Sequence, residues 1–404
     1  VFVKNIMFPE GILWHDGQLF VAAPPQIRAF NAGPKDAVAP DEWVWFEGKT
    51  LTGCANDLHG PYLGLDGRIY WCKGAFAQQS YTLPTGKKWA TRAAHIFRTR
   101  RDGSELEPVM NGGMDNPVDV VFTPTGERIF TTTFFQHPAA GKRDGLIHAL
   151  YGAMYGKDHS YIYEADHKWT GPNLMPVLTH MGPAAPCGLH RLESAEFGFE
   201  YKDNLFACQF NLRKVSRHVL KPVGATYQSE DSDFLVSDNQ DFHPTDVIED
   251  ADGSLLVVDT GGWYKLCCPS SQLVKADVLG AIYRVKKIDA HKQADPRGLE
   301  IAWEKQTPAE LTSLLADPRP AVQKRAQSAL LRQGEKAVAV TSPVWPMSCA
   351  RMWPRMRSQS STLAASLVVT MRAPSCDSAR IWLWRGWLTG WNIALPVWTS
   401  HSRA

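Results

Sequence analysis

The sequence contains no Cys-x-x-Cys pair. Its eight cysteines are scattered, apart from the adjacent Cys267 and Cys268. A zinc ribbon is thereby excluded, as is a c-type haem attachment site, which needs Cys-x-x-Cys-His. Eight cysteines in 404 residues do not make a disulfide scaffold. One or two bridges stay open, and Cys267-Cys268 reads either as a vicinal disulfide or as two plain thiols. There is no charge of one sign in excess. Lys and Arg number 43 against 41 Asp and Glu, a formal net charge of +2, which excludes an extended nucleic-acid-binding surface. No signal peptide is visible, because Val1-Phe2-Val3 opens directly into strand-like residues. Nor is there an uninterrupted apolar run long enough for a transmembrane helix: residues 381–398 are broken by Arg385 and Pro396.

What is abundant is turn chemistry, with 31 glycines and 27 prolines. These punctuate a repeat of Pro or Gly, a short strand, an Asp-Gly-type turn and a second apolar strand. The copies begin at Pro9, Gly60, Pro117, Pro186 and Pro244, and four of them turn at Asp16-Gly17, Asp66-Gly67, Thr125-Gly126 and Asp252-Gly253. The copy from Pro186 is the weakest. Asp-Gly between apolar runs marks a hairpin, and a proline ahead of a strand removes no ladder bond. Units about 50–70 residues apart, with further strands such as His95-Ile96-Phe97-Arg98 and Ala281-Ile282-Tyr283-Arg284-Val285, predict four-stranded blades. The expectation is an all-β, six-bladed-type β-propeller over residues 1–287, N-terminally incomplete with about five blades visible. Val1-Phe2-Val3-Lys4 reads as the outer strand of a blade whose start is absent. Unrelated hairpins in a sandwich are the alternative.

Residues 288–306 read as a linker. The apolar period then changes to 3.6 over residues 307–338. Thr307 is the expected N-cap and Pro308 the first helical residue; Asp317-Pro318-Arg319-Pro320 breaks this helix, and Val322, Ala326, Ala329 and Leu330 line a second, ended by Gly334. The pair resembles one HEAT repeat. Residues 339–404 are foreign in composition. From residue 341 onward there is one acidic residue, Asp377, no lysine, and seven of the fifteen tryptophans. They read as an out-of-frame or disordered tail, or else as a hydrophobic segment that docks on a partner or membrane.

Propeller ligands meet the loops at one end of the central channel, just before each blade's first strand. Asn56-Asp57-Leu58-His59-Gly60-Pro61 is the most suggestive such segment. A histidine there can act as general base on a hydroxyl, with Asp57 orienting it; the alternative is a histidine that only bonds a loop backbone. His137, His190 and His218 read as structural or exposed. Asp119 and Asp246 hold equivalent blade positions, which suits acceptance of backbone N–H groups between blades. Trp263 reads as a stacking surface for a sugar ring or as packing of the last blade.

The run from Asn56 through Tyr70-Trp71 is similar to the propellers of the glucose/sorbosone dehydrogenases. Phe242-His243-Pro244-Thr245-Asp246-Val247 through Val285 resembles the last blade of the membrane-bound dehydrogenases of planctomycete-type bacteria, which join such a propeller to HEAT repeats and a cytochrome c domain. The resemblance spans roughly residues 5–335. It implies oxidation of a sugar or other alcohol by a pyrroloquinoline quinone (PQQ) cofactor, often with calcium, and His59 matches the catalytic base. It further implies cofactor contacts from Asn116, Arg213, His243 and Thr245, substrate contacts from Asn56 and Trp263, a cytochrome c electron acceptor, and a periplasmic or secreted location. The pattern departs at Asp115, where the family has Arg beside Asn116, and at His243 and Thr245, where it has two arginines. PQQ carries three carboxylates, for which guanidinium forks are natural partners. Two other functions stay open: a non-enzymatic carbohydrate- or protein-binding propeller, and a calcium-dependent lactonase using Asn56, Asn116 and Asp246.

Overall fold

The computed structural model describes residues 2–6, 9–31, 38–48, 58–113, 115–133, 142–156, 174–264, 273–275, 277–290 and 292–334. Five antiparallel blades follow one another in chain order. The first is β1 (Ile12–His15), β2 (Gln18–Ala23), β3 (Gln26–Asn31) and β4 (Glu42–Glu47). The second holds β5 (Leu58–Leu63) and β6 (Ile69–Lys73). A separate hairpin, β7 (Gln79–Thr82) and β8 (Lys88–Thr91), comes next, and β9 (Ala94–Thr99) and β10 (Glu107–Gly113) complete the sheet. The third comprises β11 (Asn116–Phe122), β12 (Arg128–Thr133), β13 (Asp144–His148) and, beyond β14 (Met154–Gly156), β15 (Thr179–Gly182). β14 returns to pair parallel with β10. The fourth is β16 (Pro186–Arg191), β17 (Leu205–Gln209), β18 (Lys214–Val223) and β19 (Thr226–Val236). The fifth has three strands, β20 (Pro244–Glu249), β21 (Leu255–Asp259) and β24 (Ala281–Val285). The short pair β22 (Trp263–Tyr264) and β23 (Leu273–Val274) lies between them in sequence. The propeller with about five visible blades expected from the repeats is the observed fold. No helix among the described residues is long and apolar enough to cross a membrane.

Turn chemistry sets the hairpins. One five-residue turn recurs at residues 64–68, 83–87, 100–104, 123–127 and 250–254. In each, the first N–H bonds the fifth carbonyl and the fourth N–H bonds the first carbonyl, at 2.8–3.0 Å. The fourth residue is always glycine, with φ between +73° and +88°, a conformation any Cβ would strain. Asp66, Asp102 and Asp252 add a carboxylate bond to the N–H two residues on. The prolines differ from expectation. Pro61, Pro117, Pro186 and Pro244 lie inside the first strands rather than ahead of them, and each stands at a register shift. Pro61 is itself skipped by the ladder, whereas Pro117, Pro186 and Pro244 stand opposite Thr132, Gln209 and Asp259 and the skipped residues follow them, so each missing N–H lies where the ladder is interrupted.

The central strands β6 and β17 bury every residue, which is why their sequences are nearly continuous apolar runs. On β6, Ile69 and Trp71 pack with Phe20, Ile27 and Phe97 toward the first blade. Tyr70 and Cys72 pack with Val120, Phe130 and Ile147 toward the third. Further on, Leu205 and Ala207 join Ile129 and Leu146, and Phe206 and Cys208 join Val247, Leu255 and Val257. The outer faces of the end blades are different: Ile12, Trp14 and Val44 on the first blade and Ile248 and Ile282 on the fifth are exposed.

The helical unit has α1 (Pro308–Leu314) and α2 (Pro320–Gln333). Thr307 caps α1 in a capping box with Glu310, and Pro308 opens it, as the sequence predicts. Leu311 and Leu330 pack with Trp303, Leu314 and Ala329, and Gly334 has a φ of +56° just past α2. The 339–404 tail lies outside the described residues.

Candidate active site at the N-terminal ends of the inner strands

The first strand of each blade is the innermost, so β1, β5, β11, β16 and β20 present their N-terminal ends at one end of the central channel. Three consecutive blades meet there. His59 Nε2 lies 3.0 Å from Asn116 Oδ1, and His59 Nδ1 lies 3.3 Å from Glu10 Oε2. His59 is 7% exposed and Asn116 6%. His59 keeps its ladder partner Cys72, and the β5 bulge begins immediately after it, at Gly60-Pro61. The Asn116 carbonyl accepts a bond from Thr132 Oγ1 at 3.0 Å, which anchors its backbone.

The chemistry follows from donor and acceptor counts. As placed, Asn116 Oδ1 can only accept, so it pairs with a protonated Nε2; with the amide turned, the proton sits on Nδ1, facing Glu10, and Nε2 is the lone-pair nitrogen. The Asn116 amide can satisfy it by presenting its NH2 group, because amide orientation is a choice of hydrogen-bond network. One residue past His59's ladder partner Cys72 stands Lys73, fully buried, whose ammonium donates to the Gly74 carbonyl at 3.3 Å. Glu10 and Lys73 are absent from the sequence reading. Glu10 had only its place after Pro9 to mark it; Lys73 merely ends the apolar run Ile69-Tyr70-Trp71-Cys72.

Asp57 and Asn56 lie outside the described residues, as do His137, Cys267 and Cys268. Trp263 stands opposite Val274 in the β22–β23 pair, and its side chain is outside the described set. The remaining candidates gather on the fourth and fifth blades. Arg213, with a φ of +52°, bonds Gln240 through Nη1, while its Nε is buried with no partner among the described residues. His243 Nδ1 faces the carbonyls of Asp241 and Gly261 at 3.0 and 3.1 Å, and its ring lies against Phe210. Thr245 Oγ1 donates to the Val258 carbonyl at 3.3 Å.

Deeper along the inner strands, Asp119 accepts the Leu189 N–H of the next blade at 2.7 Å, and Asp246 accepts the Val247 N–H at 2.8 Å. Burial raises both carboxyls, and the charge of Asp246 raises Asp119 further. Burial likewise pushes the Cys187 thiol up to about 12, so it is not a thiolate nucleophile. His190 Nε2 accepts the Glu249 N–H at 3.2 Å. His218 is bracketed by Asp231 Oδ1 at 2.7 Å and Ser216 Oγ at 2.8 Å. Among the described residues, no group of three His, Cys, Asp or Glu is placed to hold a metal ion.

A family model described as a domain of unknown function, DUF7133, matches residues 1–295. No curated protein matches the sequence. Among solved structures, the chain is similar to a glucose dehydrogenase (14% identity, 67% of this chain and 79% of that one, TM-score 0.45). It is similar to the PQQ-bound aldose sugar dehydrogenase of Streptomyces coelicolor (14%, 66% and 75%, TM-score 0.44). It is also similar to the apo-form soluble aldose sugar dehydrogenase of Escherichia coli (15%, 60% and 75%, TM-score 0.41).

Proposed function

The chain belongs to the family of the domain of unknown function DUF7133, and we propose that it acts on a sugar or other alcohol at the channel end, with His59 as the base that removes a hydroxyl proton. The observation that carries this reading is the chain Glu10–His59–Asn116, drawn from three successive blades. Glu10 holds the proton on Nδ1 and stabilises the imidazolium formed when Nε2 takes a proton, the role a carboxylate plays behind any catalytic histidine. Asn116 holds Nε2 until a substrate hydroxyl replaces it. A base so positioned contributes about 10²–10⁴-fold. A cytochrome c acceptor and a periplasmic or secreted location belong to the same reading.

The quinone implied by the resemblance fits the described residues only in part. Arg213, with its unpartnered Nε, suits one of three carboxylates. His243 Nδ1 and Thr245 Oγ1 face backbone carbonyls instead. The described residues therefore do not by themselves make a quinone site. This geometry favours a second reading, a carbohydrate-binding propeller without catalysis.

Isothermal titration of PQQ with calcium into the full chain, followed by dye-linked oxidation of aldoses, separates the two. The enzymatic reading expects binding, and His59→Ala that still binds but loses about 10²–10⁴-fold in turnover. Absence of binding at high micromolar PQQ removes the quinone mechanism, and the binding-scaffold reading then leads.

A further inference from the structure

A concave site lies on the fifth blade, at the far end of β20 from His243. Its volume is about 590 Å³, within the range of small-ligand pockets. The walls are the β20–β21 turn, the Glu196-Phe197 loop of the fourth blade, the end of β24, Ala290, and Lys292 to Arg297 beyond it. Five cations line it, Arg284, Lys286, Lys287, Lys292 and Arg297, against three carboxylates, Glu196, Asp250 and Asp252.

The pairing inside the cleft is unequal. Arg284 bonds Asp250 at 2.8 Å and Asp252 at 3.3 Å, always through Nη1. Lys286 bonds Asp252 at 2.8 Å, and Arg297 bonds Asp250 through Nη2. The turn that presents both aspartates is fixed by its own backbone bonds and by Gly253, whose missing Cβ leaves room for the Glu196 side chain. These pairs orient two guanidinium groups while engaging one nitrogen of each, and a guanidinium has five N–H donors. Lys287 and Lys292 make no ion pair among the described residues. The two aspartyl carboxyls are held below their usual range, Asp252 by Lys286 and Ser254 and Asp250 by Arg284, each against the opposing effect of burial. They stay ionised and keep the frame in place.

We propose that this cleft binds a small multivalent oxyanion, a compound bearing carboxylate or phosphate groups. Pre-oriented guanidinium forks recognise such groups bidentately, and two unpaired ammonium groups supply the remaining charge. A concave basic surface concentrates anions more than the same charges on a flat face.

Calorimetric titration of the full chain with citrate and, separately, with pyrophosphate at low ionic strength tests this. The expected result is a Kd of about 0.1–1 mM for at least one probe, weakened by added salt. The probe that binds identifies the oxyanion as carboxylate or phosphate. The double variant Lys287→Gln/Lys292→Gln would weaken binding at least about tenfold, whereas Glu196→Gln, which removes a repelling carboxylate, would tighten it. The proposal is overturned if neither probe binds up to about 10 mM, or if the double variant binds as well as the parent chain.

Discussion

Two histidine–carboxylate pairs in this propeller have nearly the same chemistry and opposite settings. His59–Glu10 joins two blades at the N-terminal ends of inner strands, and Nε2 on the other side of the ring faces the Asn116 amide. His218–Asp231 spans β18 and β19 of one blade, and the free side of the ring meets Ser216, which is itself bonded by Gln209 at 2.7 Å. Although Ser216, His218 and Asp231 carry the residue types of a hydrolytic triad, Ser216 is 3% exposed and His218 1%. Gln209 and His218 together hold that serine inside its own sheet. The contrast teaches that partners alone do not make a base: position in the blade decides whether a polar chain faces a ligand or locks a sheet.

Mutations can sharpen that contrast. Trp71→Ala would have the largest effect, about 3–5 kcal/mol lost in chemical denaturation, because Trp71 is fully buried with Phe46 and Phe97 against its ring. β6 also carries the ladder partner of His59, so turnover would fall with stability. Glu10→Gln would cut turnover about 10–100-fold, roughly 1.4–2.7 kcal/mol, and move the melting temperature by no more than ~2 °C. If turnover held while stability fell, Glu10 would belong with Asp231 as a structural partner.

Asp231→Asn tests the opposite pole. Burial alone would raise the Asp231 carboxyl, but bonds from His218, Ser229 and Thr179 outweigh it and bring it down to about 2. A depressed carboxyl stabilises the fold above its ordinary 3.8 and loses that contribution as pH falls toward about 2. The parent chain should therefore lose about 1 kcal/mol more than Asp231→Asn across that window, allowing for its partial exposure, with turnover at neutral pH unchanged. Urea melts at several pH values read this directly. Thr307→Ala, which removes the N-cap of α1, would cost about 1 kcal/mol at most in the helical unit and nothing in activity.

The blades were legible because Asp-Gly and Thr-Gly turns specify hairpins locally, and the α1 cap because Thr307, Pro308 and Glu310 are neighbours in sequence. The prolines were displaced by a bulge, which depends on the partner strand and leaves no local mark. The site was legible only where one residue declares it. His59 stands out at the start of an inner strand, but Glu10 is 49 positions away and Asn116 is 57, and only blade packing brings them together. His243 and Thr245 look like polar side chains at a channel mouth. Their bonds go to carbonyls of their own blade because the β20 bulge and the Asp259 carboxylate, which holds the N–H groups of His243 and Gly261 at 2.9 Å, fold the loop back on itself.

The most direct test of the central claim is a turnover panel of aldoses, polyols and lactones with the parent chain, supplied with PQQ, calcium and a dye acceptor. The account predicts dye reduction by hydroxyl compounds and none by lactones. Lactone hydrolysis without dye reduction, or no turnover of any compound, would contradict it.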